Sequence, residues 1–191
     1  MQIALFLCCR SWYDFPMEIN VRSASVADAP RLREIYSYYV EKTAITYEYD
    51  VPSKAEFAQR IARTLEQYPY VCAECGGTVV GYAYASAFHP RAAYQWSAEV
   101  SIYVDSSFKS RGVGRALYDA LELELKKLGF KNLYACIAVP SGRDDEYLTH
   151  ASEKFHEHMG YTTVGRFSNC AKKFGRWYSM IWMEKIIGAH E

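Results

Sequence analysis

No charge of one sign dominates this chain of 191 residues: Lys plus Arg and Asp plus Glu each number 22, so the formal net charge is zero. That removes the global basic field that would hold nucleic acid or an anionic membrane, and leaves open only a local basic patch. Long apolar runs are missing too. Met1 to Leu7 is apolar, but Arg10 and Asp14 follow closely, and a bilayer span needs roughly 20 residues. With no positive segment before it, the same run makes a poor secretory signal. Residues 1–16 are expected to form an irregular extension ahead of one domain at 17–187. No repeat, low-complexity run or interdomain linker interrupts the pattern.

Cysteine is sparse: Cys8, Cys9, Cys72, Cys75, Cys136 and Cys170. The chain is too long and too rich in core residues to need disulfides, which predicts a reducing cytoplasm. Cys72-Ala-Glu-Cys75 has the spacing of half a zinc site, but no second ligand pair stands at the right interval. His156 and His158 are only two apart and far along the chain. Two thiols in a strand is the better reading, and no metal is expected.

What is present is aromatic and periodic. There are 17 Tyr, residues that combine apolar area with a hydroxyl needing a partner when buried. Ile19 to Arg22 alternates as a first strand. Ser25 to Asp28 offers capping oxygens to a helix through about Glu41, with Leu32, Ile35, Tyr36 and Tyr39 on one face. Thr43 to Tyr49 reads as extended chain or loop. Ser53 and Glu56 have capping-box spacing for a second helix, stopped by Pro69. Val71–Cys75, Gly76-Gly77 and Thr78–Phe88 read as a hairpin, followed by a loop from His89 to Tyr94.

Glu99 to Val104 is the cleanest strand: Glu99, Ser101 and Tyr103 face one way, Val100, Ile102 and Val104 the other. After the polar turn Asp105–Arg111 the period becomes helical, with Leu117, Leu121, Leu125 and Leu128 in one stripe and Gly129 as the stop. Leu133–Val139 is a strand broken by Pro140. Ala151–Met159 is a short helix closed by Gly160, and strands at Tyr161–Phe167 and Trp177–Lys185 finish the chain. The order predicts a mixed, mostly antiparallel sheet of the α+β class with helices on both faces.

The stretch that carries chemistry is Lys109-Ser-Arg-Gly112-Val-Gly114-Arg115, between a strand and a helix. The first N–H groups of a helix have no internal partners and sit at the positive end of its dipole, so they favour an anion. Lys109, Arg111 and Arg115 add charge. The turn lacks the third glycine of a dinucleotide fingerprint and the Gly-Lys-Ser/Thr of a P-loop. A lone Gly-x-Gly also opens helices that bind nothing.

Lys109-Ser-Arg-Gly-Val-Gly114 resembles the Arg/Gln-x-x-Gly-x-Gly/Ala signature of the GNAT N-acetyltransferase superfamily. The likeness extends to Gly81-Tyr-Ala-Tyr-Ala-Ser86, Pro90-Arg-Ala-Ala-Tyr94, Glu99-Val-Ser-Ile-Tyr-Val104, Phe155-His-Glu-His-Met-Gly-Tyr161 and Lys173-Phe-Gly-Arg-Trp177. These are similar to the phosphinothricin acetyltransferase branch over roughly Ile19 to Lys185. The resemblance implies the GNAT acyl-CoA N-acyltransferase fold, acetyl-CoA as co-substrate and a small-molecule amine or amino acid as acceptor. A glutamate-like molecule such as phosphinothricin or methionine sulfoximine is the first expectation. It also implies a homodimer, which suits the aromatic-rich strands from Tyr161 to Lys185. Protein acetylation at an N-terminus or lysine, and acyl-CoA binding without turnover, are the alternatives.

On that resemblance, residues Ser110 and Val113 join Lys109, Arg111, Gly112, Gly114 and Arg115 around the pyrophosphate of coenzyme A. The backbone of Ile102, Tyr103 and Val104 meets the pantetheine arm, with Thr149 and Ser152 beside it. Three departures stand out: His89-Pro90-Arg91 where relatives often carry Arg-Pro-Arg, Thr149 where an Asn is typical, and a longer, more acidic Gly142–Tyr147. Glu99 is the candidate base for the acceptor ammonium; its ordinary alternative is a solvated strand-end carboxylate. His156 is the candidate acid toward the leaving thiolate, or a second base, because its pKa is ordinarily near neutral; its alternative is a packed helix histidine. His89, Arg91, Tyr94 and Lys173 are candidate acceptor contacts, Arg91 foremost because guanidinium binds carboxylate in two-point fashion.

Overall fold

A computed structural model describes residues 18–190; the expected extension at 1–16 lies outside them. Seven strands form one sheet in the order β1-β2-β3-β4-β5-β7-β6. They are β1 (Ile19–Ser23), β2 (Tyr70–Cys75), β3 (Thr78–Ala87), β4 (Ser97–Val104), β5 (Asn132–Pro140), β6 (Thr162–Lys173) and β7 (Arg176–Ile186). Every pairing is antiparallel except β4 with β5. The helices are α1 (Ala29–Lys42), α2 (Lys54–Leu65), α3 (Val113–Lys127) and α4 (Ala151–His158). None among the described residues is long and apolar enough to cross a membrane.

Two cores follow from the alternation of side chains across the strands. On one face Val80, Ala83, Val100, Leu133, Ala135 and Ile137 pack under the Leu117, Leu121 and Leu125 stripe of α3. On the other, Tyr70, Cys72 and Tyr82 meet Leu32, Ile35 and Tyr36 of α1 and Phe57 and Ile61 of α2. Cys72 packs in this second core and Cys75 against the first, so these two thiols of β2 face opposite sides of the sheet. The polar positions of α2 face outward, and its first turn is capped by the Ser53 hydroxyl, which accepts from the Glu56 N–H at 3.1 Å.

The C-terminal hairpin is longer than the sequence suggests, because β6 runs to Lys173 instead of ending at Phe167. The polar run Ser168-Asn-Cys-Ala-Lys reads as a loop, yet it stays extended around a register shift between Phe167 and Ala171. Asn169 absorbs that irregularity at φ 49°, a backbone region Asn tolerates better than most residues. Phe174 and Gly175, both at positive φ, make the tight turn, as two-residue hairpins of right-twisted strands require.

Candidate active site

The sheet is forked at its centre. β4 pairs with β5 only over Ser97–Glu99 against Asn132–Tyr134, although the strands continue to Val104 and Pro140. Beyond Glu99 the two part. A cavity of about 60 Å³ lies in the fork, lined by Ser101, Ile102, Ala135, Cys136, Ser152 and His156 among others. A backbone edge exposed in this way accepts an extended chain as an added strand. Val104 is withdrawn from that edge: its carbonyl accepts from the Tyr39 hydroxyl and its N–H donates to the same oxygen. Of Ile102, Tyr103 and Val104, expected along the pantetheine arm, Val104 is thus already engaged by Tyr39.

Past β4 the chain turns sharply into α3. Asp105 holds the turn: its carboxylate accepts from the Ser107 N–H at 3.0 Å and from Arg31 at 2.5 Å. Ser110 and Gly112 both take positive φ, 59° and 83°. Gly112 is the N-cap residue, and no side chain caps the helix, so its first N–H groups remain for an external acceptor. Arg111 and Arg115 are exposed beside them.

Two members of the turn are placed differently from expectation. A Cβ on Gly114 would stand 3.0 Å from the ring of Phe155, so packing of α4 against α3 by itself disfavours a side chain there. The Lys109 ammonium lies over the rings of Tyr38 and Tyr39, at 5.4 and 5.1 Å from their centroids. Lys109 as a whole is exposed, yet this ring-facing position desolvates the ammonium enough to lower its pKa.

Glu99 stands at the last paired residue before the fork. Partial burial raises its pKa, and among the described residues no cation or hydrogen-bond donor meets its carboxylate. His156 lies deeper and is 3 % exposed. Its Nδ1–H donates to the Ser152 carbonyl at 2.7 Å, which leaves Nε2 to accept from the Tyr118 hydroxyl at 2.8 Å. Burial pulls the imidazole down to about 4. The near-neutral pKa expected for this residue is thus corrected: the ring is neutral, and Tyr118 of α3, unmarked in the sequence, is its partner. No local periodicity could reveal that pair, which spans two helices 38 positions apart.

The expected acceptor contacts divide. His89 and Tyr94 come together, with ring centroids 5.0 Å apart, and both flank Phe88, which stacks on Tyr134 at 4.1 Å. Arg91 is exposed at the start of the short turn Ala92–Tyr94, and its guanidinium has no ion-pair or hydrogen-bond partner among the described residues. Lys173 has an internal partner. It is 3 % exposed and donates to the Thr46 carbonyl at 2.7 Å, tying the end of β6 to the loop after α1. Thr149 accepts from the Ala151 N–H at 3.3 Å at the start of α4, and Ser152 lines the fork. Among the described residues no group of three His, Cys, Asp or Glu is placed to hold a metal ion.

A forked sheet, an uncapped helix start beyond one prong and an unpaired carboxylate at the branch suit an extended, anionic acyl donor. Residues 21–182 match the acetyltransferase (GNAT) domain model, and the chain belongs to that family. It is an acetyl-CoA-dependent N-acetyltransferase. A phosphinothricin acetyltransferase from Sinorhizobium meliloti, solved with acetyl-CoA, is 34% identical with a TM-score of 0.82 and 90% of each chain covered. Phosphinothricin N-acetyltransferase of Alcaligenes faecalis is 30% identical over 92% of this chain and 91% of its own. An L-methionine sulfoximine/L-methionine sulfone acetyltransferase of Pseudomonas aeruginosa is 30% identical over 88% and 94%.

Proposed function

We propose that this enzyme transfers the acetyl group of acetyl-CoA to the primary amine of a small molecule that also bears a carboxylate, with Glu99 as the base. The observation that carries this reading is the Glu99 carboxylate itself: desolvated, without a counter-charge, and placed where β4 and β5 part. An amine enters as ammonium and must lose a proton before it can attack. A carboxylate with a raised pKa takes that proton better than an ordinary one. Acetyl-CoA, when bound, supplies a thioester carbonyl as the electrophile. The unpaired edge of β4 orients the pantetheine arm as an added strand. The open N–H groups at Gly112–Arg115, with Arg111 and Arg115, hold its pyrophosphate. Neutral His156 keeps the Tyr118 hydroxyl in the wall of the fork, a role in place of the imidazolium acid.

Arg91 supports a carboxylate on the acceptor, being an exposed guanidinium free of internal partners on the loop that follows β3. The related enzymes named for phosphinothricin and methionine sulfoximine favour an amino-acid acceptor of that kind. We take 17–187 as the catalytic domain, the cytoplasm as its location and a homodimer as its assembly. The test is thiol release from acetyl-CoA across a panel of amino acids and simple amines, with wild type and Glu99→Gln. The wild type acetylates amino acids. Glu99→Gln retains acetyl-CoA affinity by calorimetry but loses about 100-fold or more in kcat. Equal turnover by the two proteins removes Glu99 from the mechanism.

A further inference from the structure

A larger cavity lies outside the fork. It measures about 430 Å³ and lies between α2 and the β2–β3 hairpin, lined by Tyr36, Phe57, Thr64, Tyr70, Tyr84 and Ser86 among others. That is the size range of small-ligand sites. Its floor is a row on β3, where positions two apart share a face. Tyr82 and Tyr84 stand in register, near-parallel at an interplanar angle of 16°, and Tyr70 of the neighbouring strand stacks against both. The next position in the row is Ser86. Where a third ring would continue the stack, the side chain is a single hydroxymethyl group.

That slot lies beside the proposed base. Ser86 is directly opposite Glu99 in the β3–β4 register, and Tyr84 is opposite Ser101, which lines the fork. Opposed residues of an antiparallel pair share one face and stand about 5 Å apart. The charged groups of the cavity largely cancel. Glu48 and Arg60 are paired at 2.6 Å, Arg60 also meets Glu56, and Arg63 is at the exposed rim.

We infer that the acceptor carries an aromatic side chain, whose ring fills the slot over Ser86 and stacks on Tyr84 while its amine meets Glu99. This rests on Glu99 being the base, and it narrows the acceptor class from amino acids in general to aromatic ones. A ring placed there completes a row of parallel aromatics, the offset-stacked arrangement that such rings favour. A short acidic side chain would leave the slot unfilled, with no free cation at its floor.

The test compares L-phenylalanine, L-alanine and methionine sulfoximine as acceptors for wild type and for Thr64→Trp, which intrudes on the cavity from α2. Thr64 spends its hydroxyl only on the Arg60 carbonyl of its own helix. In the wild type, kcat/KM for phenylalanine exceeds that for the other two by about tenfold or more, a preference that aromatic burial of this kind can supply. Thr64→Trp lowers the phenylalanine-to-alanine ratio about tenfold, mainly through KM. Calorimetry of acetyl-CoA binding checks that the variant is folded, and Thr64→Leu, with less added bulk, serves if it is not. Phenylalanine no better than alanine in the wild type, or a ratio unmoved in a folded variant, overturns the aromatic slot and leaves Glu99 standing. Failure of the wild type to acetylate any amino acid overturns both readings together.

Discussion

At the residue scale the site depends on two groups held away from their ordinary protonation. Burial raises the pKa of Glu99. A base must be ionised to work, so the acidic limb of kcat/KM moves to higher pH than that of a solvated carboxylate. His156 goes the other way, from an ordinary 6.5 to about 4, because its imidazole is buried and its nitrogens are committed to Tyr118 and Ser152. A folded pKa below the unfolded one means that the unfolded chain binds the proton first. The stability contribution is complete above the ordinary value and is lost as pH falls from there through about 4. The shift corresponds to about 3 kcal/mol at most. Denaturant unfolding at stepped pH should show this loss in the wild type. His156→Gln, which still offers an acceptor to the Tyr118 hydroxyl, flattens the slope between pH 6.5 and 4. An unchanged slope would show that His156 is not the titrating group.

At the scale of elements, α3 and α4 are joined at the glycine of the turn. Phe155 of α4 lies where a side chain on Gly114 would stand. Gly114→Ala therefore forces the ring or the helix to move, and overpacking of this sort costs about 1–3 kcal/mol. Gly112 is strained for a different reason: its φ of 83° disfavours any side chain by about 1 kcal/mol. Both variants should lower the midpoint of unfolding. Gly112→Ala leaves the Phe155 contact untouched, while Gly114→Ala also shifts α4, and with it Ser152 and His156 at the fork. Acetyl-CoA affinity by calorimetry should thus fall further in Gly114→Ala than in Gly112→Ala. The reverse order would show that displacing α4 does not reach the ligand site.

For the whole molecule, the helices cover the sheet unevenly. α1 and α2 shield β1 to β4 on their face, while the β6–β7 hairpin leaves Val164, Phe167 and Trp177 each more than half exposed. Exposed apolar residues on one hairpin suit an interaction surface, and a second copy of the chain is the partner proposed for it. Light scattering at micromolar concentration should give twice the 21.9 kDa chain mass. Phe167→Glu with Trp177→Glu should return the monomer, since two charges on the patch of each copy oppose its burial. A wild-type monomer would show that the patch has another use.

Much of this architecture was legible in the residues alone. Alternation at Glu99–Val104, the leucine stripe from Leu117 to Leu125 and the Gly-bearing turn between them specify strand, helix and the sharp turn joining them, because each signal is local. The far part of β6 was not legible: Ser168 to Lys172 carries no apolar alternation, and only pairing with β7 keeps it extended. Tertiary structure alone decided the site's chemistry. Burial, which no window of sequence reports, raised the pKa of Glu99 and lowered that of His156. Packing committed Lys173 to Thr46 and explained Gly114 by Phe155. The open slot over Ser86 lies beside Glu99 only because antiparallel register brings that serine opposite it, and register is fixed by contacts between segments, not within them.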